Sequence, residues 1–81
     1  MKILELNWNS IEYIPDSLCG LKNLEELLLD KNQVRLLPDQ IGNLSALKKI
    51  TLRENDLSEL PESFGKLNKI EVLDLSKNNL E

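Results

Sequence analysis

Histidine is absent from the 81 residues, cysteine occurs once, and only three side chains are aromatic. Without His and with a single Cys, the common zinc sets cannot be assembled, nor can Ser–His, Cys–His or other His-based acid–base arrangements. One Cys also cannot form an internal disulfide. The chain therefore points away from enzymes, and no cofactor is expected. Ten Lys and Arg against fourteen Asp and Glu give a net charge of −4. That balance supplies no positive field for phosphates, and the aromatics are too few to stack bases, so nucleic acid is not an expected partner. No run approaches the roughly 18 consecutive apolar residues of a membrane span. The start, Met1-Lys2-Ile3-Leu4-Glu5, meets charge before a signal-peptide core could form. The lone Cys19 suits a reducing compartment, so a cytoplasmic setting is favoured, with a secreted one left open. The triplet Asn43-Leu44-Ser45 has the form of a glycosylation acceptor. Its Leu falls on a core position, and coincidence explains it better.

What the sequence has in abundance is leucine, 19 in 81 residues. A domain this small usually needs a staple, a partner or a very regular core. The leucines supply regularity, for they recur with a period of 23 residues. Residues 21–43 and 44–66 are complete units, while 1–20 and 67–81 fill parts of the same frame, and the whole 1–81 reads as one domain. Its columns are Leu4, Leu27, Ile50, Leu73; Leu6, Leu29, Leu52, Leu75; Asn9, Asn32, Asn55, Asn78; and Ile11, Val34, Leu57, Leu80. Pro15, Pro38 and Pro61 form another.

Around Leu27-Leu28-Leu29 the apolar spacing is two, which predicts a short strand sending Leu27 and Leu29 to one side and Leu28 to the other. Asn32 should end the strand, giving its amide hydrogens to nearby carbonyls while its oxygen accepts a backbone N–H. Leu37-Pro38 and Ile41-Gly42 then turn the chain, with Gly42 expected to use its freedom in φ and ψ. The return leg should be irregular or a single helical turn. One such unit cannot bury its leucines alone, so copies must stack about 4.8 Å apart as a parallel sheet.

The pattern Leu-x-x-Leu-x-Leu-x-x-Asn-x-Leu-x-x-Leu-Pro-x-x-Ile-Gly resembles the leucine-rich repeat of the 23-residue type. It rests on Leu24, Leu27, Leu29, Asn32, Val34, Leu37, Pro38, Ile41 and Gly42. Their counterparts are Leu47, Ile50, Leu52, Asn55, Leu57, Leu60, Pro61, Phe64 and Gly65. The resemblance implies an α/β fold, a right-handed solenoid with a concave parallel sheet of about four strands. Similar repeats occur in Ras-pathway scaffold proteins, in Scribble and Erbin, in plant intracellular Ras-group proteins and in bacterial proteins. The resemblance thus implies protein partners and a signalling-scaffold role. Cys19 stands where this pattern has Gly, so the first turn is expected to differ. A buried structural thiol is favoured there over a reactive one. Cys-rich caps typical of extracellular members are missing, which agrees with the intracellular reading. The ends are expected to lack polar caps.

The strand residues between the core leucines should face the concave side. They are the columns Ile3, Glu26, Lys49, Val72; Glu5, Leu28, Thr51, Asp74; Asn7, Asp30, Arg53, Ser76; and Trp8, Lys31, Glu54, Lys77. Charge signs tend to alternate across them, so a self-neutralising surface competes with a partner surface. Trp8 is either an interface anchor or a lid over the Lys31 stem. No metal site is expected, because Asp30-Lys31-Asn32 lacks the Gly and distant Glu of a calcium loop. Glu5 and Asp74 belong at opposite ends of the sheet, which argues against paired-carboxylate hydrolysis. The favoured function is a non-enzymatic interaction module binding a protein or peptide through these sixteen positions. The alternatives are a fragment or homo-oligomer joined through its uncapped ends, and a regulatory segment of a larger signalling protein.

Overall fold

A computed structural model describes residues 2–80. The outermost positions of the repeat frame, Met1 and Glu81, lie outside the described residues. Four strands of three residues each, β1 (Ile3–Glu5), β2 (Glu26–Leu28), β3 (Lys49–Thr51) and β4 (Val72–Asp74), form one parallel sheet in chain order. Its register is the sequence period itself: Leu4 pairs with Leu27, Leu27 with Ile50, and Ile50 with Leu73. Leu27, Leu29, Ile50 and Leu52 are fully buried, while Leu28 between them is half-buried on the opposite face. This is the alternation that a pleated strand imposes.

The strands are short because an Asn ends each one. Asn32 Nδ2 donates to the carbonyls of Leu6 (2.9 Å) and Leu29 (3.0 Å), and its Oδ1 accepts the Ile11 N–H at 2.9 Å. Asn55 does the same for Leu29 O and the Val34 N–H, and Asn78 for Leu52 O and the Leu57 N–H. Each amide thus satisfies backbone groups of its own repeat and the preceding one. That is how a bend can be buried between neighbours without orphaned polar groups.

The return legs are the 3-10 turns Asp16–Gly20, Ile41–Asn43 and Glu62–Lys66. Two expectations are corrected here. The turn carrying Cys19 is no outlier: it spans five residues, as does Glu62–Lys66, and both close through equivalent bonds, Leu21 N–H to Leu18 O and Leu67 N–H to Phe64 O. Gly42, moreover, does not exploit glycine's conformational range, since no glycine has positive φ. Its role is close approach. A Cβ at Gly42 would collide with the Ser63 carbonyl oxygen and lie 2.9 Å from Ser63 Cβ. The Ser63 hydroxyl bridges the two turns, accepting the Gly42 N–H at 3.0 Å and donating to Asp39 O at 2.6 Å. Cys19 fits because its backbone is in an ordinary region and an open groove separates its turn from the next. The thiol is buried, and burial followed by the nearby Asp16 charge raises its pKa.

The core is one stripe of stacked aliphatics from Ile14 to Leu67. Burial weakens toward β4, where Leu73 is 47% exposed although its register partner Ile50 is fully buried. Leu44 is buried, as its place in the frame requires, and Asn43 and Ser45 beside it are exposed on the turn side.

Candidate functional site: the concave sheet face

All sixteen strand-face positions fall in the lateral columns that the 23-residue offset defines, but the structure treats them unequally. Ile3, Glu5, Trp8, Lys31, Arg53, Val72, Ser76 and Lys77 are exposed. Asn7, Glu26, Leu28, Asp30, Lys49, Glu54 and Asp74 are half-buried. Thr51, in register with Leu28 and Asp74, is buried, so its short side chain offers a partner little.

The column Asn7, Asp30, Arg53 is a staple along the backbone. Asn7 Oδ1 accepts the Asp30 N–H at 2.7 Å, and Asp30 Oδ1 accepts the Arg53 N–H at 2.9 Å. Arg53, which carries only donors, cannot continue the series to Ser76. Asp74 takes over, accepting both the Ser76 N–H (3.0 Å) and the Ser76 hydroxyl (2.7 Å). Those two bonds, with help from Arg53, hold the Asp74 carboxyl below its ordinary pKa. Two carboxylates of the face are therefore engaged with the chain's own backbone.

The ion pairs are fewer than sign alternation predicts. Among the described residues they are Lys31 Nζ to Glu54 Oε2 at 3.3 Å and Lys48 Nζ to Glu25 Oε1 at 3.8 Å. Glu26 and Lys49 are register partners without forming a pair, and Asp30 meets the Arg53 backbone instead of its guanidinium. The self-neutralising surface is thus only partly realised.

One feature of the face left no mark in the sequence. Trp8, Lys31, Glu54 and Lys77, a complete column, all adopt left-handed backbone conformation, with φ of 65°, 59°, 60° and 59°. Asn or Gly at these places would have signalled it; four larger side chains conceal it. Within this column the Lys31 ammonium lies 4.0 Å from the Trp8 ring centroid. The expected Trp8–Lys31 stacking is present, yet the indole stays 72% exposed and is no buried lid. A further unforeseen feature is the bridge between Tyr13 and Leu36, which leaves both exposed on the flank beyond the Asn column.

Glu5 and Asp74 sit on the two outer strands, separated by β2 and β3, so no carboxylate pair faces a common pocket. The face presents graded polarity and apolar points on a shallow sheet, suited to contact over an area.

A family model described as leucine rich repeat matches residues 35–80, more than half of the chain, and a second of the same description matches 1–21 and 23–44. The chain belongs to the leucine-rich repeat family. Among solved structures, this leucine-rich repeat chain is similar to a leucine-rich repeat protein of Leptospira interrogans. The TM-score is 0.93 and the identity 36%, over 95% of this chain and 20% of that one. It thus spans about a fifth of the length of that relative. No curated protein matches it at a significant level. The leucine-rich repeat is commonly a protein-interaction module. No helix among the described residues is long and apolar enough to cross a membrane.

Proposed function

We propose that this chain is a non-enzymatic interaction module whose concave sheet face binds a protein or an extended peptide segment. The carrying observation is the exposure of Ile3, Trp8 and Val72 on a face whose opposite side fully buries the aliphatic columns in the two middle repeats. Large apolar side chains left in solvent at both edges of a face that also exposes Arg53 and Lys77 give it the mix of aromatic, aliphatic and charged groups that interfaces use. Extending from fold to binding also draws on the family's habit. The test is capture of protein partners by the chain and by the variant Trp8→Ala/Leu28→Glu/Arg53→Glu, with Glu62→Lys on the turn side as control. The reading predicts that the triple variant loses partners that the control keeps. Retention of every partner by the triple variant would sink it.

A second reading is favoured by the bareness of β4. Leu73 and Leu80 are exposed, whereas their column mates Leu27, Ile50, Val34 and Leu57 are fully buried. Stacking of a further repeat, or of a second copy, on that edge would cover them and pair the open backbone groups. Light scattering across a concentration series separates these, since a monomer at every concentration excludes self-stacking.

A further inference from the structure

The geometry points to a cationic peptide segment, arginine-bearing with interspersed apolar side chains, as the occupant of the β1–β2 half of the concave face, with Trp8 as its anchor. This rests on the concave-face reading above and adds the partner's chemistry.

Trp8 is exposed but not loose. Lys31 covers one part of its ring at 4.0 Å, and Glu54, 3.3 Å from the same ammonium, meets the lysine's charge. The indole thus has a neighbour on its ring and most of its surface open, an aromatic group of the kind that anchors interfaces. Apart from Lys31, whose charge Glu54 meets, the charged face residues of this half are acidic. Glu5 is exposed and Glu26 half-buried, neither has an ion-pair partner among the described residues, and Asp30 adds a third carboxylate. The cations of the face without ion pairs among the described residues, Lys49, Arg53 and Lys77, belong to β3, β4 and the residues after them. In the β1–β2 half the carboxylates face Lys2, before the first strand, and Lys31, whose ammonium is already engaged by Trp8 and Glu54. The net charge of −4 draws cations to the molecule at long range. Arginine suits this half better than lysine, because a guanidinium can stack on the open indole and grip a carboxylate with two donors. Ile3, 56% exposed in the same strand, accounts for the apolar component.

Trp8 is the only tryptophan, so its emission reports directly on the site. The experiment titrates the chain with a short peptide alternating Arg and Leu, and with the peptide carrying Glu in place of Arg, at low and at physiological salt. The Arg peptide should shift Trp8 emission saturably, bind about tenfold or more tightly than the Glu peptide, and weaken as salt rises. Glu5→Lys/Glu26→Lys should lose about tenfold in affinity for the Arg peptide, while Lys49→Glu/Lys77→Glu should not weaken it. Far-ultraviolet circular dichroism on each variant secures that the sheet is intact. Absence of any response to the Arg peptide, equal or tighter binding of the Glu peptide, or indifference to the Glu5/Glu26 reversal overturns the proposal. Chemical-shift mapping tells two failures apart. A Glu peptide seated on the concave face overturns the charge assignment alone, whereas an Arg peptide seated on the turn side overturns the concave-face reading with it.

Discussion

The Lys31 ammonium stands 4.0 Å from the centre of the Trp8 ring and 3.3 Å from the Glu54 carboxylate, so one lysine ties three successive repeats together across the left-handed column. A cation–π contact at an exposed site contributes about 0.5–1 kcal/mol. A double-mutant cycle of Trp8→Leu with Lys31→Ala should return a coupling of that size by urea denaturation. Both replacements keep a Cβ at positive φ, so backbone strain cancels. A coupling indistinguishable from zero would show that the stacking does not stabilise the fold.

The left-handed column carries strain that glycine would relieve. Lys77 has φ of 59° and no ion pair among the described residues, which makes it the cleanest position to test. A non-glycine residue there costs roughly 1–2 kcal/mol, part of which glycine's greater freedom in the unfolded chain offsets. Lys77→Gly should therefore raise stability by about 0.5–1 kcal/mol. Lys77→Val, β-branched, should lower it.

Asn55 is buried and joined to Leu29 O and the Val34 N–H. Asn55→Ala strands both backbone groups, each costing about 1–3 kcal/mol when left unpaired. Thermal or chemical denaturation should show a loss of at least about 2 kcal/mol. Asn9 is exposed and its side-chain amide bonds only to carbonyls of its own repeat, while its backbone N–H bond to Asn32 survives truncation, so Asn9→Ala should cost clearly less.

Gly42 and Gly65 occupy the same place in successive units yet should respond oppositely to alanine. At Gly42 the new methyl meets Ser63 backbone, and forcing the two turns apart should cost about 1–3 kcal/mol. At Gly65 a Cβ finds nothing within 4 Å, and φ is not positive, so Gly65→Ala should be neutral or stabilising by up to about 1 kcal/mol. Equal losses at both sites would refute the close-packing account.

Asp74 and Cys19 each add a pH-dependent contribution to stability. Asp74 has a lowered pKa in the folded chain, so its contribution is full above the unfolded value and disappears as pH falls through the folded one. Asp74→Asn and Ser76→Ala should each flatten the acid limb of a denaturation profile. Cys19 has a raised pKa, so its thiol contributes fully below the unfolded value and loses that contribution as pH rises through the folded one. Cys19 should also react slowly with a thiol reagent in the folded chain, and quickly once the chain is unfolded in urea.

The 23-residue spacing determined by itself the sheet, its register, the buried leucine columns and the bonding of the Asn ladder. It could do so because stacked identical units leave each core position one solution: a leucine offset by a full period must lie beside its copy. The same regularity placed the concave residues, for side chains between two inward leucines on a pleated strand can only point outward. Several other features were decided by tertiary structure alone. The left-handed column, the openness of the indole that rests on Lys31, the Asp30 carboxylate turned to a neighbouring N–H, and the Gly42–Ser63 contact all depend on distances between repeats. Sequence sign alternation suggested that Asp30 would pair with Arg53; an adjacent backbone donor took the carboxylate instead. A period records which residues are neighbours, whereas side-chain rotation and backbone approach decide which of the neighbouring atoms meet.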